Sequence, residues 1–169
     1  MPRVSKIDFP AASRLQARLA RATYRDAFEA PLADDGLSAT EIARRAFSAT
    51  PGWVEGLLDL RDAIVRPLGL KTVGHRGRTD GRAAGTPRVG DRFSIFQVES
   101  VDEAELVLGI DDTHLDVRIS CLKRQVGGQA TWAIGSLVQT HNLLGRVYMI
   151  PVGRFHPVLV RLMMSRLRV

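Results

Sequence analysis

The chain has few of the features that mark secreted or membrane-spanning proteins. It contains one cysteine, Cys121, which excludes an intrachain disulfide and favours a reducing compartment. No stretch approaches the roughly 20 consecutive apolar residues that a membrane-spanning helix needs. The first thirty residues carry repeated arginines and no continuous apolar core, which does not fit a signal peptide. We therefore predict a cytoplasmic protein with no membrane contact.

Lysine is also scarce, since arginine outnumbers it 21 to 3, and the net charge of +6 is unevenly placed. The excess lies in residues 1–25 and in a glycine-rich loop at 71–92. A nucleic-acid-binding stripe more often follows one face of an ordered element, so nucleic acid is not an expected partner. Apolar residues make up 45% and charged residues 25%, as in ordinary globular proteins. This length and composition predict one domain over 1–169 that contains the 71–92 loop.

Several chemical motifs are missing. The loop glycines form neither a dinucleotide fingerprint nor a phosphate loop, so no cofactor is implied. His114, His141 and His156 lie on separate predicted elements without the close spacing of a metal site, and no metal is predicted. Ser136 lies on an apolar strand face with no Gly-x-Ser-x-Gly motif around it. Cys121 alternates with apolar residues, which predicts a buried, inert thiol.

The first half of the chain predicts one strand and three helices. Ser13 is placed to cap a short helix, and residues 23–30 read as an extended segment that ends at a proline. Ser38 and Glu41 have the spacing of a capping box, which opens a helix. A second helix start follows at Thr50-Pro51, with apolar residues at three-to-four spacing as far as Ile64.

The second half changes to the two-residue period of strands. Strands are predicted over 93–100, 105–111, 114–122 and 130–140, with a hairpin at Gly127-Gly128. Pro151 and Pro157 predict a break before a C-terminal helix, whose apolar side would include Val158 and Leu162. The fold class is therefore α+β of the helix-grip type: an antiparallel meander sheet, two helices after the first strand and a C-terminal helix.

Two polar patterns supply candidate ligand-binding residues. Alternation on the third meander strand places one histidine, one aspartate and one arginine on the same side. A second group follows the last strand, where an imidazole, an amide, a guanidinium and a phenol could grip a polar or anionic group. Structural roles remain open for both groups: a solvent-facing ladder, a helix cap or ion pairs. The predicted ligand-binding residues are Asp112, His114, Asp116, Arg118, His141, Asn142, Arg146 and Tyr148.

Short motifs in a fixed order carry a family resemblance. They include Thr23-Tyr24-Arg25-Asp26-Ala27-Phe28, Thr50-Pro51-Gly52-Trp53, Asp111-Asp112-Thr113-His114, Thr140-His141-Asn142 and Phe155-His156. As an ordered set the chain resembles a bacterial family of unknown function, DUF2867. The resemblance implies a fold akin to the helix-grip (SRPBCC or START-like) superfamily. It brings no reaction and no catalytic residue. Some relatives are fused to a dinucleotide-binding dehydrogenase-like domain, which this chain lacks.

Three functions are consistent with these observations. The first is binding of a small molecule, with an apolar body and an anionic or polar group, in a helix-grip pocket. The second is an enzyme of cyclase, dehydratase or isomerase type that uses a His–Asp pair such as His114 and Asp116. The third is interaction with a dehydrogenase-like protein. A homodimer through an exposed sheet face remains open.

Overall fold

The computed structural model describes residues 3–48 and 85–166, and its centre is a seven-stranded antiparallel sheet. The strand order is β1-β2-β7-β6-β5-β4-β3, so the first long strand pairs with the last one and the meander continues from there. This is the helix-grip-like α+β arrangement that the sequence predicts. The strands are β1 (Ser5–Lys6), β2 (Tyr24–Pro31), β3 (Arg92–Phe93), β4 (Phe96–Val101), β5 (Glu105–Asp111), β6 (Leu115–Val126) and β7 (Gln129–Thr140).

Within 3–48 and 85–166, two α-helices pack on one face of the sheet, which we call the helix face. Helix α1 (Ala39–Ser48) contacts β5 and β6, and helix α2 (Leu143–Arg166) contacts β2, β7 and α1. The Ser38–Glu41 capping box forms as predicted, since the Ser38 N–H donates to the Glu41 carboxylate and the Glu41 N–H donates to the Ser38 hydroxyl. The main apolar core lies between these helices and the sheet and includes Phe28, Ile42, Trp132, Val160 and Met164.

The opposite face, which we call the outer face, has a smaller apolar cover. A 3-10 helix, Arg14–Arg21, starts at the predicted cap Ser13 and places Leu15 against Val107 and Leu137. A buried carboxylate anchors this helix: Glu105 accepts hydrogen bonds from Ser13 Oγ at 2.7 Å and from the Arg14 N–H at 3.0 Å. Both faces of the central strands are therefore covered along part of their length.

One predicted strand is in fact a hairpin. Residues 93–100 were predicted as a single strand, but Phe93 pairs with Phe96 across a two-residue turn in which Ser94 has a φ of 57°. Phe93 and Phe96 are three residues apart, so a continuous strand would point them to opposite faces. The turn lets both rings reach the core, where they lie 5.7 and 5.9 Å from the Phe47 ring. Core packing therefore decides the local conformation.

The C-terminal helix is longer than predicted. The prolines were expected to interrupt it, yet Pro151 and Pro157 both lie inside α2. A proline removes one helical N–H donor, but packing at both ends of α2 holds the intervening turns in a helix. The predicted apolar side is also wrong, since Val158 is exposed and the buried positions include Val160, Met163 and Met164. The helix therefore faces the sheet with a different stripe of residues.

Several predictions fall wholly or partly outside the described residues. The predicted helix after Thr50-Pro51 and most of the predicted 71–92 loop lie there, so they remain predictions, as does the single domain over 1–169. In the part of the chain that the structure describes, no helix is both long and apolar enough to cross a membrane. The predicted Gly127-Gly128 hairpin is described and is confirmed, with both glycines at positive φ between the paired Val126 and Gln129.

Candidate functional site

The predicted ligand-binding residues lie at separate places, and three of them, Asp116, Arg118 and His141, belong to the outer face. Arg118 is nearly enclosed: its guanidinium lies 2.6 Å from Glu99 Oε1 and 2.5 Å from Asp111 Oδ1, and it also donates to the Ile110 carbonyl. Gly109 gives the pair room, because a Cβ there would lie 2.6 Å from Glu99 Oε1. The charge of Arg118 is therefore balanced by carboxylates of the protein itself.

Asp116 makes a second side-chain contact on the same face. Its Oδ2 lies 3.0 Å from His141 Nε2, and the two side chains are 29% and 34% exposed. Asp116 and Arg118 line a shallow depression of about 50 Å³ that also touches Arg18 and Leu137. Strand alternation therefore grouped Asp116 and Arg118 correctly, but it missed that Ser120, next on that side, is buried.

His114 and Asn142 meet where the β5–β6 hairpin touches the start of α2. His114 Nδ1 lies 2.8 Å from Asn142 Nδ2, and Asn142 Oδ1 accepts the Gly145 N–H at 3.0 Å. Asn142 is thus the N-cap of α2, the structural alternative that the sequence left open. A Cβ at Gly145 would clash with the carbonyl oxygen of His114, so only glycine fits this approach. This pair fastens α2 to the sheet.

The last three predicted residues do not join either group through the contacts described. Asp112 accepts the Thr113 N–H at 2.6 Å, and both Asp112 and Tyr148 make further interactions. Arg146 is an exposed residue of α2 whose backbone N–H donates to the Asn142 carbonyl. The eight predicted residues thus occupy the outer face, the hairpin–helix junction and the first turns of α2.

A different polar cluster lies on the helix face, at residues that the sequence reasoning never grouped. Asp26 Oδ2 on β2 accepts the Tyr24 hydroxyl at 2.6 Å and lies 2.9 Å from His156 Nδ1 on α2. The side chain of Asp26 is 2% exposed and that of His156 is 24% exposed. Burial, and then the hydrogen bond and charge of Asp26, raise the pKa of Tyr24 above its ordinary value, so the phenol stays protonated and donates. With Asp26 ionised, its Oδ2 can only accept, which would put the proton of this hydrogen bond on His156 Nδ1.

Two buried polar atoms beside this cluster have no partner in the described part of the chain. They are Asp26 Oδ1 and Ser136 Oγ. Asp26 and Ser136 are directly paired across β2 and β7, which places their side chains side by side on the helix face. Buried polar groups almost always have hydrogen-bond partners, and leaving one unpaired costs about 1–3 kcal/mol. Both atoms therefore have hydrogen-bonding capacity that the described residues do not use.

The comparisons with known proteins identify a family but no activity. Residues 18–163 match the model of a family described as a protein of unknown function, DUF2867. The chain belongs to the DUF2867 family. No curated protein and no solved structure matches it. The matched region includes Tyr24, Asp26, Ser136 and His156, so the cluster on the helix face lies within the part of the chain that defines this DUF2867 protein.

The surroundings of the cluster are apolar, with one cation at the margin. Phe28 follows Asp26 on the same side of β2, and Val160 and Met164 lie one and two turns after His156 on α2. The Arg161 guanidinium carbon lies 5.1 Å from the centroid of the Phe28 ring, within cation–π distance. A small molecule at this place would meet a few polar atoms in an otherwise apolar setting, which is the usual composition of a ligand site.

The structure separates the three histidines that raised the question of a metal. His114 lies against Asn142, His141 pairs with Asp116, and His156 pairs with Asp26. Within 3–48 and 85–166, no group of three or more His, Cys, Asp or Glu residues is arranged to hold a metal ion. The Cys121 thiol is buried as predicted, and burial together with the Glu105 charge raises its pKa to about 12.

The sequence did contain a signal for the cluster on the helix face. In β2, Asp26 alternates in phase with the apolar residues Phe28 and Ala30, so it occupies a core-facing position. Ser136 likewise lies in an almost wholly buried strand. A carboxylate at a core position needs a buried partner. That the partner is His156, 130 residues away, depends on how α2 crosses the sheet, which periodicity does not report.

Proposed function

We propose that this protein binds a small molecule at the polar cluster on the helix face, with Asp26, Ser136 and His156 as anchors. The observation that carries the proposal is the pair of unpartnered buried atoms, Asp26 Oδ1 and Ser136 Oγ, on neighbouring strands. The fold alone does not explain why these atoms are buried and unpaired. A ligand that hydrogen-bonds to them gives their burial a physical reason.

The chemistry of the anchors indicates the polar part of the ligand. Asp26 Oδ1 can only accept a hydrogen bond, and Ser136 Oγ can either donate or accept. Since His156 Nδ1 is occupied by Asp26, the unprotonated Nε2 is a further acceptor. A hydroxyl, amide N–H or ammonium group matches such acceptors better than an anion, which the Asp26 charge repels. The proposed ligand therefore has an apolar body and a hydrogen-bond-donating head group.

Native mass spectrometry of gently purified protein tests this proposal. We expect a stoichiometric small molecule on the wild type that is released by denaturation and then identified. Ser136→Ala removes one anchor with little change in volume and should weaken the affinity about tenfold, as expected for one lost hydrogen bond of about 1.5 kcal/mol, so that less ligand stays bound than in the wild type. Thr23→Val, which deletes a hydroxyl near the end of the same strand pair, is the control and should keep the ligand.

The residues predicted from the sequence are tested in the same experiment. Loss of ligand from His141→Ala but not from Ser136→Ala would place the site on the outer face, at the sequence-predicted residues. A protein that stays unliganded after a broad metabolite screen would contradict small-molecule binding altogether. Interaction with a dehydrogenase-like protein, and a homodimer, would then be the predictions to examine.

A further inference from the structure

We propose that His156 acts as a general base that removes a proton from the bound molecule, with Asp26 as its positioning residue. This inference rests on the ligand site proposed above and assigns it an activity. Three features of the cluster support it: the tautomer of His156, the burial of Asp26 and the partial exposure of the imidazole ring.

The hydrogen bond to Asp26 determines which nitrogen of His156 can act as a base. Nδ1 lies 2.9 Å from the carboxylate and carries the proton, so the lone pair of the neutral ring is on Nε2. When Nε2 takes up a proton, the ring becomes a cation beside an anion that is 2% exposed. Coulomb attraction between such charges is screened far less than at the surface. The carboxylate therefore stabilises the protonated form that proton abstraction creates.

Two further contacts hold the ring in position. The Tyr24 hydroxyl donates at 2.6 Å to the same carboxylate oxygen. The Tyr24 and His156 rings meet edge to face with centroids 6.1 Å apart. Gly153, nearly one turn before His156, lets the Tyr24 ring come close to α2, since a Cβ there would lie 3.1 Å from Tyr24 Cε2. The imidazole is thus held from two directions.

The side chains of Asp26 and His156 differ in exposure. A base must reach the substrate, whereas its positioning residue can be covered. Asp26 is almost fully covered, while His156 is 24% exposed and so can reach a bound molecule. The other His–Asp pair in the described residues, His141 with Asp116, is 34% and 29% exposed. Solvent screens that pair more strongly, because both of its side chains are more exposed. Among the described residues, only the His156 pair combines a covered anion with a reachable base.

The reaction class that follows is proton transfer within one substrate. His156 Nε2 takes a proton from a carbon next to a carbonyl group, and the C–H electron pair forms a C=C bond while the carbonyl electrons move to oxygen. The substrate is therefore a β,γ-unsaturated carbonyl compound: the imidazolium returns the proton to its γ carbon, the enolate oxygen re-forms the C=O bond, and the double bond moves into conjugation, which completes an isomerisation. The steps balance without an oxidant, a reductant or a second reactant. The Ser136 hydroxyl is placed to donate to the oxygen that gains charge.

The test uses 5-nitrobenzisoxazole, an apolar probe with one acidic C–H. A base removes that proton, the C–H pair forms the nitrile, the N–O bond breaks, and the coloured phenolate leaves while the base returns its proton to water. We expect a saturable rate in the wild type that exceeds the rate with free imidazole at the same concentration. His156→Gln retains a donor towards Asp26 but is no base, and should lower kcat about 10²-fold or more.

Asp26→Asn separates positioning from folding. Its carbonyl oxygen can still accept from Tyr24 and from His156, so the geometry is kept and only the charge is lost. We expect kcat to fall at least tenfold with KM unchanged, and ¹⁵N NMR to show the Nδ1–H tautomer of His156 in the wild type. Arg25→Ala, exposed on the opposite side of the same strand, is the control and should match the wild type.

Two results would overturn the inference. One is an equal rate in the wild type and in His156→Gln, or no saturable rate in the wild type. The other is a wild-type His156 with its proton on Nε2 rather than Nδ1. Neither result bears on the native mass spectra, so a ligand found there without base activity would leave the binding proposal intact and refute the proton transfer alone.

Discussion

The buried carboxylate of Glu105 offers the sharpest test of how the outer face is held together. The residue is 3% exposed, and both of its oxygens accept hydrogen bonds. Oε1 accepts the Ser13 and Ser120 hydroxyls at 2.7 and 2.6 Å, while Oε2 accepts the Arg14 N–H at 3.0 Å. In Glu105→Gln the amide oxygen can replace Oε1, but the amide nitrogen then faces the Arg14 N–H, donor against donor. Breaking one charge-assisted bond and leaving a donor unpaired costs about 2 kcal/mol.

Glu105→Ala removes both oxygens and should cost about 4 kcal/mol, because two buried hydroxyls and the start of the 3-10 helix lose their acceptor together. Urea unfolding followed by fluorescence measures both losses as shifts of the midpoint. Glu103→Gln is the matched control: its carboxylate is 74% exposed, so the free energy of unfolding should change by less than about 0.5 kcal/mol. A Glu105→Gln variant as stable as this control would refute the assignment of Glu105 as the anchor of the 3-10 helix.

Two further predictions follow from contacts described above. Gly145→Ala places a Cβ against the carbonyl oxygen of His114, a backbone atom that cannot turn aside. We therefore expect the free energy of unfolding, measured by thermal or urea unfolding, to fall by about 1–3 kcal/mol. A fall of less than about 0.5 kcal/mol would contradict the close approach. Cys121 should resist iodoacetamide in the folded protein at pH 8, because a pKa raised to about 12 leaves only about one thiol in 10⁴ ionised and the side chain is buried. Rapid labelling without urea, measured by mass spectrometry, would contradict this.

The fold was largely predictable because its signals are local. The Ser13 cap, the Ser38–Glu41 capping box and the two glycines of the β6–β7 hairpin each act over a few residues. The errors occurred where distant packing overrides a local signal. Phe93 and Phe96 reach one core only through a turn, and α2 passes through both of its prolines because its ends are fastened to the sheet.

The candidate site was less predictable for the same reason. Alternation shows which residues share one side of a strand, and it placed Asp116 and Arg118 together correctly. It does not show which of them are already satisfied by the protein, as Arg118 is by Glu99 and Asp111. Nor does it show that His156 approaches Asp26, since that contact arises from the path of α2 over β2. The signal available in the sequence was an acidic residue, Asp26, at a core-facing position of its strand. That signal identifies Asp26 but not its partner His156.

The two buried carboxylates in the part of the chain that the structure describes give the strongest physical reason for placing function at Asp26. Glu105 and Asp26 are both buried in strands, and each is bonded by hydroxyl groups. Both oxygens of Glu105 accept hydrogen bonds from groups that build the outer face, so stability alone accounts for its burial. Asp26 uses one oxygen and leaves the other buried without a partner in the described residues, beside a serine in the same condition. A fold under selection for stability alone gains nothing from that arrangement, whereas a ligand or substrate would supply the bonds that these atoms lack.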